Sequence, residues 1–300
     1  MRWRWLDRSA MVLTALAVLL IVAMLGVVLG SIAYHGWERV TWEFLTAAPR
    51  AGMTEGGVFP AIFGTVLLVL LMTVFVGPLG VCVAIYFSEY ADRESWFYRW
   101  TRQAVNNLAG VPSIVFGLFG LGFFVQFVGR GVDLAFFGGQ LTYGQPALIW
   151  AALTMAVLTL PVVIVSVEEA LRAVPQSYRD ASYALGATKS QTVFRAVLPH
   201  AFSGVLTGGI LAVSRAAGEV APILFVGAAY FLPHLPTRLN DQFMELGYHI
   251  YVLSTQSPDV EATKPLLHAT VLVLLALTFL LNLAAIAVRA RLRVAARSAR

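Results

Sequence analysis

Arg215 and Glu219 stand four residues apart in a run, 204–225, that carries no other charge. At that spacing a guanidinium and a carboxylate lie on one face of a helix within reach of each other. With 1.5 Å of rise per residue from Gly204, Arg215 is expected about 16 Å deep, near the middle of a hydrocarbon core. A guanidinium there is costly by several kcal/mol or more unless it faces protein, water or an anion. Two chemistries fit the pair. In one, Arg215 offers a planar set of donors to a passing anion, and Glu219 keeps it from holding that anion too tightly. In the other, the two residues brace neighbouring helices and meet no ligand.

No other constellation supports covalent chemistry. His35, His234 and His249 lack metal-ligand spacing, and no Ser/His/Asp or paired-carboxylate arrangement occurs, so no catalytic and no metal-binding residue is expected. An intramembrane enzyme such as a lipid phosphatase would need clustered His, Asp or Ser. Lys189-Ser190 echoes the end of a phosphate-binding loop, but the glycines that such a loop requires are missing. Any ATP would therefore be hydrolysed on another polypeptide, and no cofactor is expected in this chain. Asn106 and Asn107 either face a pathway or cap a helix.

The elements that must position Arg215 and Glu219 are set by composition. The 300 residues are 59% hydrophobic and 12% charged, far below the roughly 25% charge of a soluble domain. Six apolar runs suffice to cross a bilayer as helices: 10–33, 61–87, 108–128, 147–167, 204–225 and 269–288. They are continuous runs, unlike the short alternating strands of a barrel. The fold expected is thus all-α, a polytopic membrane protein with six transmembrane helices in a single domain, 1–300. The first run is too long for the apolar part of a signal peptide and is read as an uncleaved span. Cys82, the only cysteine, is expected to be a packing residue.

Of the 21 Lys and Arg residues, fifteen fall on the side of the two termini, five on the other, and Arg215 within a span. That asymmetry places both termini in the cytoplasm. It also explains the isoelectric point near 9.6 without nucleic acid as a partner. All seven tryptophans fall near span ends, as an interfacial aromatic belt requires. Gly77-Pro78-Leu79-Gly80 is expected to interrupt the second span and Pro112 the third, and such breaks favour a lined pathway. Gly204, Gly208, Ala212 and Ala216 form a small-residue seam that lets another helix approach closely.

The longest cytoplasmic segment, 168–203, carries the punctuation of two short helices. Pro175 opens the first, with Tyr178, Ala181 and Leu185 along one face. Gly186 ends it. Thr188-Lys189-Ser190-Gln191 then forms a capping box for the second, and Val193, Phe194 and Val197 are its apolar residues. Asp180-Ala181-Ser182, Gly186 and Ala196-Val197-Leu198-Pro199 at these spacings resemble the EAA loop of binding-protein-dependent ABC importer permeases, which share the MetI-like fold. Asp180 stands where that family usually has Glu, and Ala196 where it usually has Ile. The resemblance implies that Asp180, Ala181, Gly186, Leu198 and Pro199 belong to a coupling loop seated on an ATPase subunit.

Other stretches resemble the phosphate-specific permeases, the PstA type above all. They are 56–65, Pro78-Leu79-Gly80 with Ala84-Ile85-Tyr86 and Glu89-Tyr90-Ala91, Asn107–Ser113, and Arg215-Ala216-Ala217-Gly218-Glu219-Val220-Ala221-Pro222. This resemblance implies a permease subunit of the bacterial inner membrane that imports inorganic phosphate, with Arg215 and Glu219 in its pathway. It also implies a second permease of the PstC type, an ATP-binding dimer of the PstB type and a periplasmic phosphate-binding protein of the PstS type, all working in membrane lipid. The alternatives are an importer of another oxyanion, or a secondary or proton-coupled transporter using Arg215 and Glu219.

Overall fold

The structure, a computed structural model, describes residues 2–50, 55–257 and 260–298. Among the described residues, six helical runs are long and apolar enough to cross a membrane: Asp7–Arg39, Phe59–Tyr90, Ser113–Phe136, Leu148–Arg172, Lys189–Ala216 and Thr263–Leu292. Each overlaps one of the expected spans. Among the described residues the only sheet is an antiparallel pair, β1 (Pro49–Arg50) with β2 (Glu55–Gly56), which follows a short helix, α2 (Trp42–Thr46).

The bundle is organised around α7 (Leu148–Arg172), whose apolar window is 67% buried. Small residues on its neighbours let their backbones close on it. From α3 (Phe59–Ile85), Gly80 packs on Val163, and Met72 lies beside Thr159. From α10 (Leu198–Ala216), Gly204 meets Ala170 and Gly208 meets Ser166. The glycines of the expected seam therefore lie at the α10–α7 interface, and its Ala212 and Ala216 are also buried. The hydroxyls of Thr154 and Thr159 donate to carbonyls of their own helix at 2.7 and 2.9 Å, so they enter this apolar contact already paired.

The third crossing is a broken helix. α4 (Trp96–Leu108) is followed by a turn at Ala109–Pro112, then by α5 (Ser113–Phe119), a π-helical stretch (Gly120–Gly129) and α6 (Arg130–Phe136). Pro112, which cannot donate to a helical carbonyl, sits at the N-cap of α5 and causes the expected break. The second span behaves otherwise. α3 runs unbroken through Pro78, contrary to the expected interruption. One missing backbone bond is tolerated because Val76, Gly80 and Ala84 on either side are held in the core.

Two further expectations need correction. Cys82 is exposed, because it lines an apolar groove of about 480 Å³ between α3 and the N-terminal part of α10, with Pro78, Tyr86 and Phe194. Trp150 is buried and donates to the Tyr143 carbonyl at 2.7 Å, whereas Trp37, Trp42, Trp96 and Trp100 are open at span ends.

The loop before α7 is tied by Asp133, whose carboxylate accepts from the backbone N–H groups of Thr142, Tyr143 and Gly144 at 2.7–3.0 Å. After α10 the chain runs without regular structure to α11 (Leu246–Thr255). This stretch is paired all the same: Ala147 donates to Val226 at 2.8 Å, Leu148 to Asp241 at 2.9 Å and Ala229 to Phe243 at 2.8 Å. Asp241 in turn accepts from the N–H groups of Arg238 and Thr237, which hold its carboxyl below the ordinary range. α1 (Arg2–Gly36) packs chiefly along α12 (Val260–Ser298), and its apolar window has no buried residue.

Candidate functional site

Register along α7 gives the relative depth of the other side chains. α10 runs antiparallel to α7, with Gly204 at Ala170 and Gly208 at Ser166. Continued at one residue per residue, this places Arg215 level with Thr159, at the middle of Leu148–Arg172. The break in the third crossing is bracketed by Arg102 at Glu168 and Gly120 at Thr154, so it falls at a similar level. The expected mid-depth position of Arg215 is thus supported by packing.

The expected continuous span 204–225 is not observed. Helical backbone stops at Ala216, and 217–228 continues as turns against Gly117, Gly120 and Ala147. A β-carbon at Gly117 would lie 3.0 Å from the carbonyl oxygens of Ala221 and Pro222, so the two interrupted crossings meet at bare backbone. Pro112 accounts for the break before α5, and the turns after Ala216 are fixed by their contacts with Gly117 and Ala147. Non-helical backbone at this depth is tolerated only within protein or beside a water-filled cavity.

Arg215 occupies the last turn of α10, and its Nε lies 3.5 Å from Glu219 Oε1 just past the helix end. The side chains are 44% and 23% exposed. The expected pair therefore forms, but across a helix terminus rather than along a helix. Among the described residues Arg215 has no ion-pair partner on another helix, which an interhelical brace within this chain would require. Asn106 and Asn107 are both exposed near the end of α4 and do not cap α5, whose N-cap is Pro112.

The segment 168–203 folds as its punctuation demands. α8 (Gln176–Ala184) starts after Pro175, and Gly186 takes a φ of 79°. The capping box of Thr188 and Gln191 opens α9 (Lys189–Thr192), which runs through a π-helical turn (Val193–Val197) into α10. Val193 and Val197 are buried, Phe194 is exposed, and Ser182 meets Thr192 through a 2.9 Å hydroxyl contact that closes the hairpin. Tyr178, Tyr183 and Leu185 stay open, Leu185 at 89%. Asp180 is exposed and accepts from Gln176 at 3.1 Å. Ala181 and Pro199 are also exposed, and Leu198 is half-buried.

Two buried ionic clusters near this loop were missed in the sequence. Glu168 pairs with Arg102 of α4, and its other oxygen faces Arg172 at 2.5 Å, off the hydrogen-bonding direction. Arg179 pairs with Glu89 at 2.6 Å. The sequence signal was the amphipathic pattern of 96–108 and the charges flanking the spans, which serve equally well as orientation signals. His249 is also buried in α11, with both ring nitrogens unpartnered.

A family model described as "Binding-protein-dependent transport system inner membrane component" matches residues 77–294. The chain is 30% identical to a probable ABC transporter permease protein, YqgI, of Bacillus subtilis, over 85% of this chain and 86% of that one. It is 35% identical to the phosphate transport system permease protein PstA of Yersinia pestis, over 79% of this chain and 72% of the relative. Among solved structures, a bacterial ABC transporter involved in import of the polysaccharide alginate has the same fold. It matches with a TM-score of 0.65 at 14% identity, over 96% of this chain and 98% of that one. The MetNI methionine ABC transporter in inward-facing form matches with a TM-score of 0.54 at 19% identity, over 78% of this chain and 94% of that one.

Proposed function

Because the chain belongs to the family of binding-protein-dependent transport system inner membrane components, we propose that it is a PstA-type permease importing inorganic phosphate. The observation that carries this reading is the position of Arg215 and Glu219 at the end of a helix that stops near the middle of the bundle, beside a second interrupted crossing. Broken helices at mid-depth are a recurrent way to line a transport pathway. The relatives named as phosphate permeases supply the substrate class.

The chain itself does no covalent chemistry in this scheme. Its open α8 face, with Tyr178 and Leu185, docks on one subunit of an ATP-hydrolysing dimer, and Asp180, Ala181, Gly186, Leu198 and Pro199 shape that loop. A PstC-type second permease faces Arg215 from the other side of the pathway, and a periplasmic phosphate-binding protein delivers the anion. Both termini and α8 lie in the cytoplasm of a bacterial cell with this chain in its inner membrane. ATP binding and hydrolysis on the partner drive alternation between outward- and inward-open forms.

The test is reconstitution of the four components in vesicles, with phosphate uptake measured with ATP, with a non-hydrolysable analogue, and with a proton gradient alone. Uptake that needs ATP hydrolysis and the binding protein supports the proposal. Uptake on a proton gradient without the ATPase overturns it in favour of a secondary transporter, and uptake of a different oxyanion in place of phosphate overturns the substrate.

A further inference from the structure

The helix α8 is inside out for its setting. Its large apolar residues are open, and its single buried residue is a charged one, Arg179. The guanidinium donates to Glu89 Oε1 at 2.6 Å and to the carbonyls of Val174 and Leu171 at 2.8 and 3.0 Å. Its side chain is 11% exposed and that of Glu89 8%. Glu89 belongs to the π-helical turn Tyr86–Tyr90 that ends the second span, and Leu171 to the end of α7. Apart from this side chain, α8 packs mainly within its own hairpin, on α9 and the turn Val193–Val197.

Accepting the reading of this loop as the ATPase dock, we propose that the Arg179–Glu89 ion pair is the strut that carries displacement of α8 to the second span. Arg179 and Glu89 are then positioning residues for transport. A desolvated, charge-assisted pair resists stretching far better than scattered apolar contacts. Of the two elements that Arg179 grips, α7 is the less free to move. It is enclosed by α3, α5 and α10, and Glu168 pins its cytoplasmic end to Arg102. The second span has a compliant point. Pro78 lacks a backbone donor, Gly77 has open space around it, and both lie three turns from Glu89 at the apolar groove. A pull on Glu89 is thus delivered to the end of a helix that can bend at Pro78.

The experiment uses the assembled transporter and reads Cys82, the chain's one cysteine, which is exposed between Pro78 and Glu89. Its maleimide labelling rate is measured with and without ATP and vanadate in wild type, in Glu89→Gln and in the double variant Glu89→Met with Arg179→Met. The double variant removes both charges together, so no unpaired ion is left buried. The expected result is that the ATPase still copurifies, the ATP-dependent change at Cys82 disappears, and phosphate imported per ATP falls roughly tenfold. An intermediate loss in Glu89→Asp, which keeps the charge, is also expected. The proposal is overturned if the double variant keeps the wild-type response, if wild-type Cys82 does not respond to ATP, or if both variants lose the ATPase, which would make the pair a brace. A wild-type complex whose Cys82 responds to ATP but which imports no phosphate would leave the strut standing and remove the phosphate assignment.

Discussion

A β-carbon added to Gly204 would lie 2.2 Å from that of Ala170, so α10 and α7 touch backbone to side chain near the start of α10 and the end of α7. Gly204→Val must force the helices apart, and a cost of about 1–3 kcal/mol is expected from overpacking. Gly209, on the same helix, has nothing within 4 Å of its absent β-carbon. There Gly209→Ala should stabilise by about 0.5–1 kcal/mol through helix propensity. Thermal unfolding of the purified subunit in mild detergent separates the two, and a lower melting temperature for Gly209→Ala would contradict the packing described.

Gly186 adopts a φ of 79° with free space around it, so backbone conformation alone restricts the position. Gly186→Val should strain the turn between α8 and α9 by about 1–3 kcal/mol. Membrane insertion is expected to persist while the ATPase no longer copurifies. Normal copurification with normal uptake would refute the docking role of the loop.

Arg215→Gln leaves a shorter side chain with an amide that can still hydrogen-bond, and it removes the charge. In the assembled transporter, phosphate uptake is expected to collapse while assembly and ATPase binding persist. Wild-type uptake would sink the pathway role, and loss of assembly would point to a brace against the second permease.

Glu168 is buried between Arg102 and Arg172, and Arg102 is itself only 27% exposed. Glu168→Ala leaves the arginine beside apolar surface without a counter-charge, and a loss of about 3–5 kcal/mol is expected for breaking such a pair from one side. Denaturant titration, followed by Trp96 and Trp100 fluorescence on α4, would show it as an earlier loss of the α4–α7 contact. A change below about 1 kcal/mol would mean that Glu168 is better hydrated than its burial indicates.

The six crossings were legible because lipid demands long apolar runs, and the loop helices because Pro175, Gly186 and the Thr188–Gln191 box are local signals. The end of α10 at Ala216 was not, since Ala217–Phe225 is as apolar as a helix and its turns are fixed by distant partners, Gly117 and Ala147. Pro78 misled in the other direction, its break overruled by core packing on both sides. In the candidate site, Arg215 and Glu219 stood out as charges in an apolar run. Arg179 and Glu89 did not, because ninety residues separate them and each looks like an ordinary flanking charge.

The early end of α10 also has an electrical consequence. The last carbonyls of a helix carry roughly half a negative elementary charge, unscreened where water is scarce. Arg215 sits in that last turn, so its cation is balanced by the backbone pole behind it as well as by Glu219 ahead of it. In the proposed pathway, an anion arriving at Arg215 would have to compete with both, so a phosphate touched by the guanidinium would be held weakly and released.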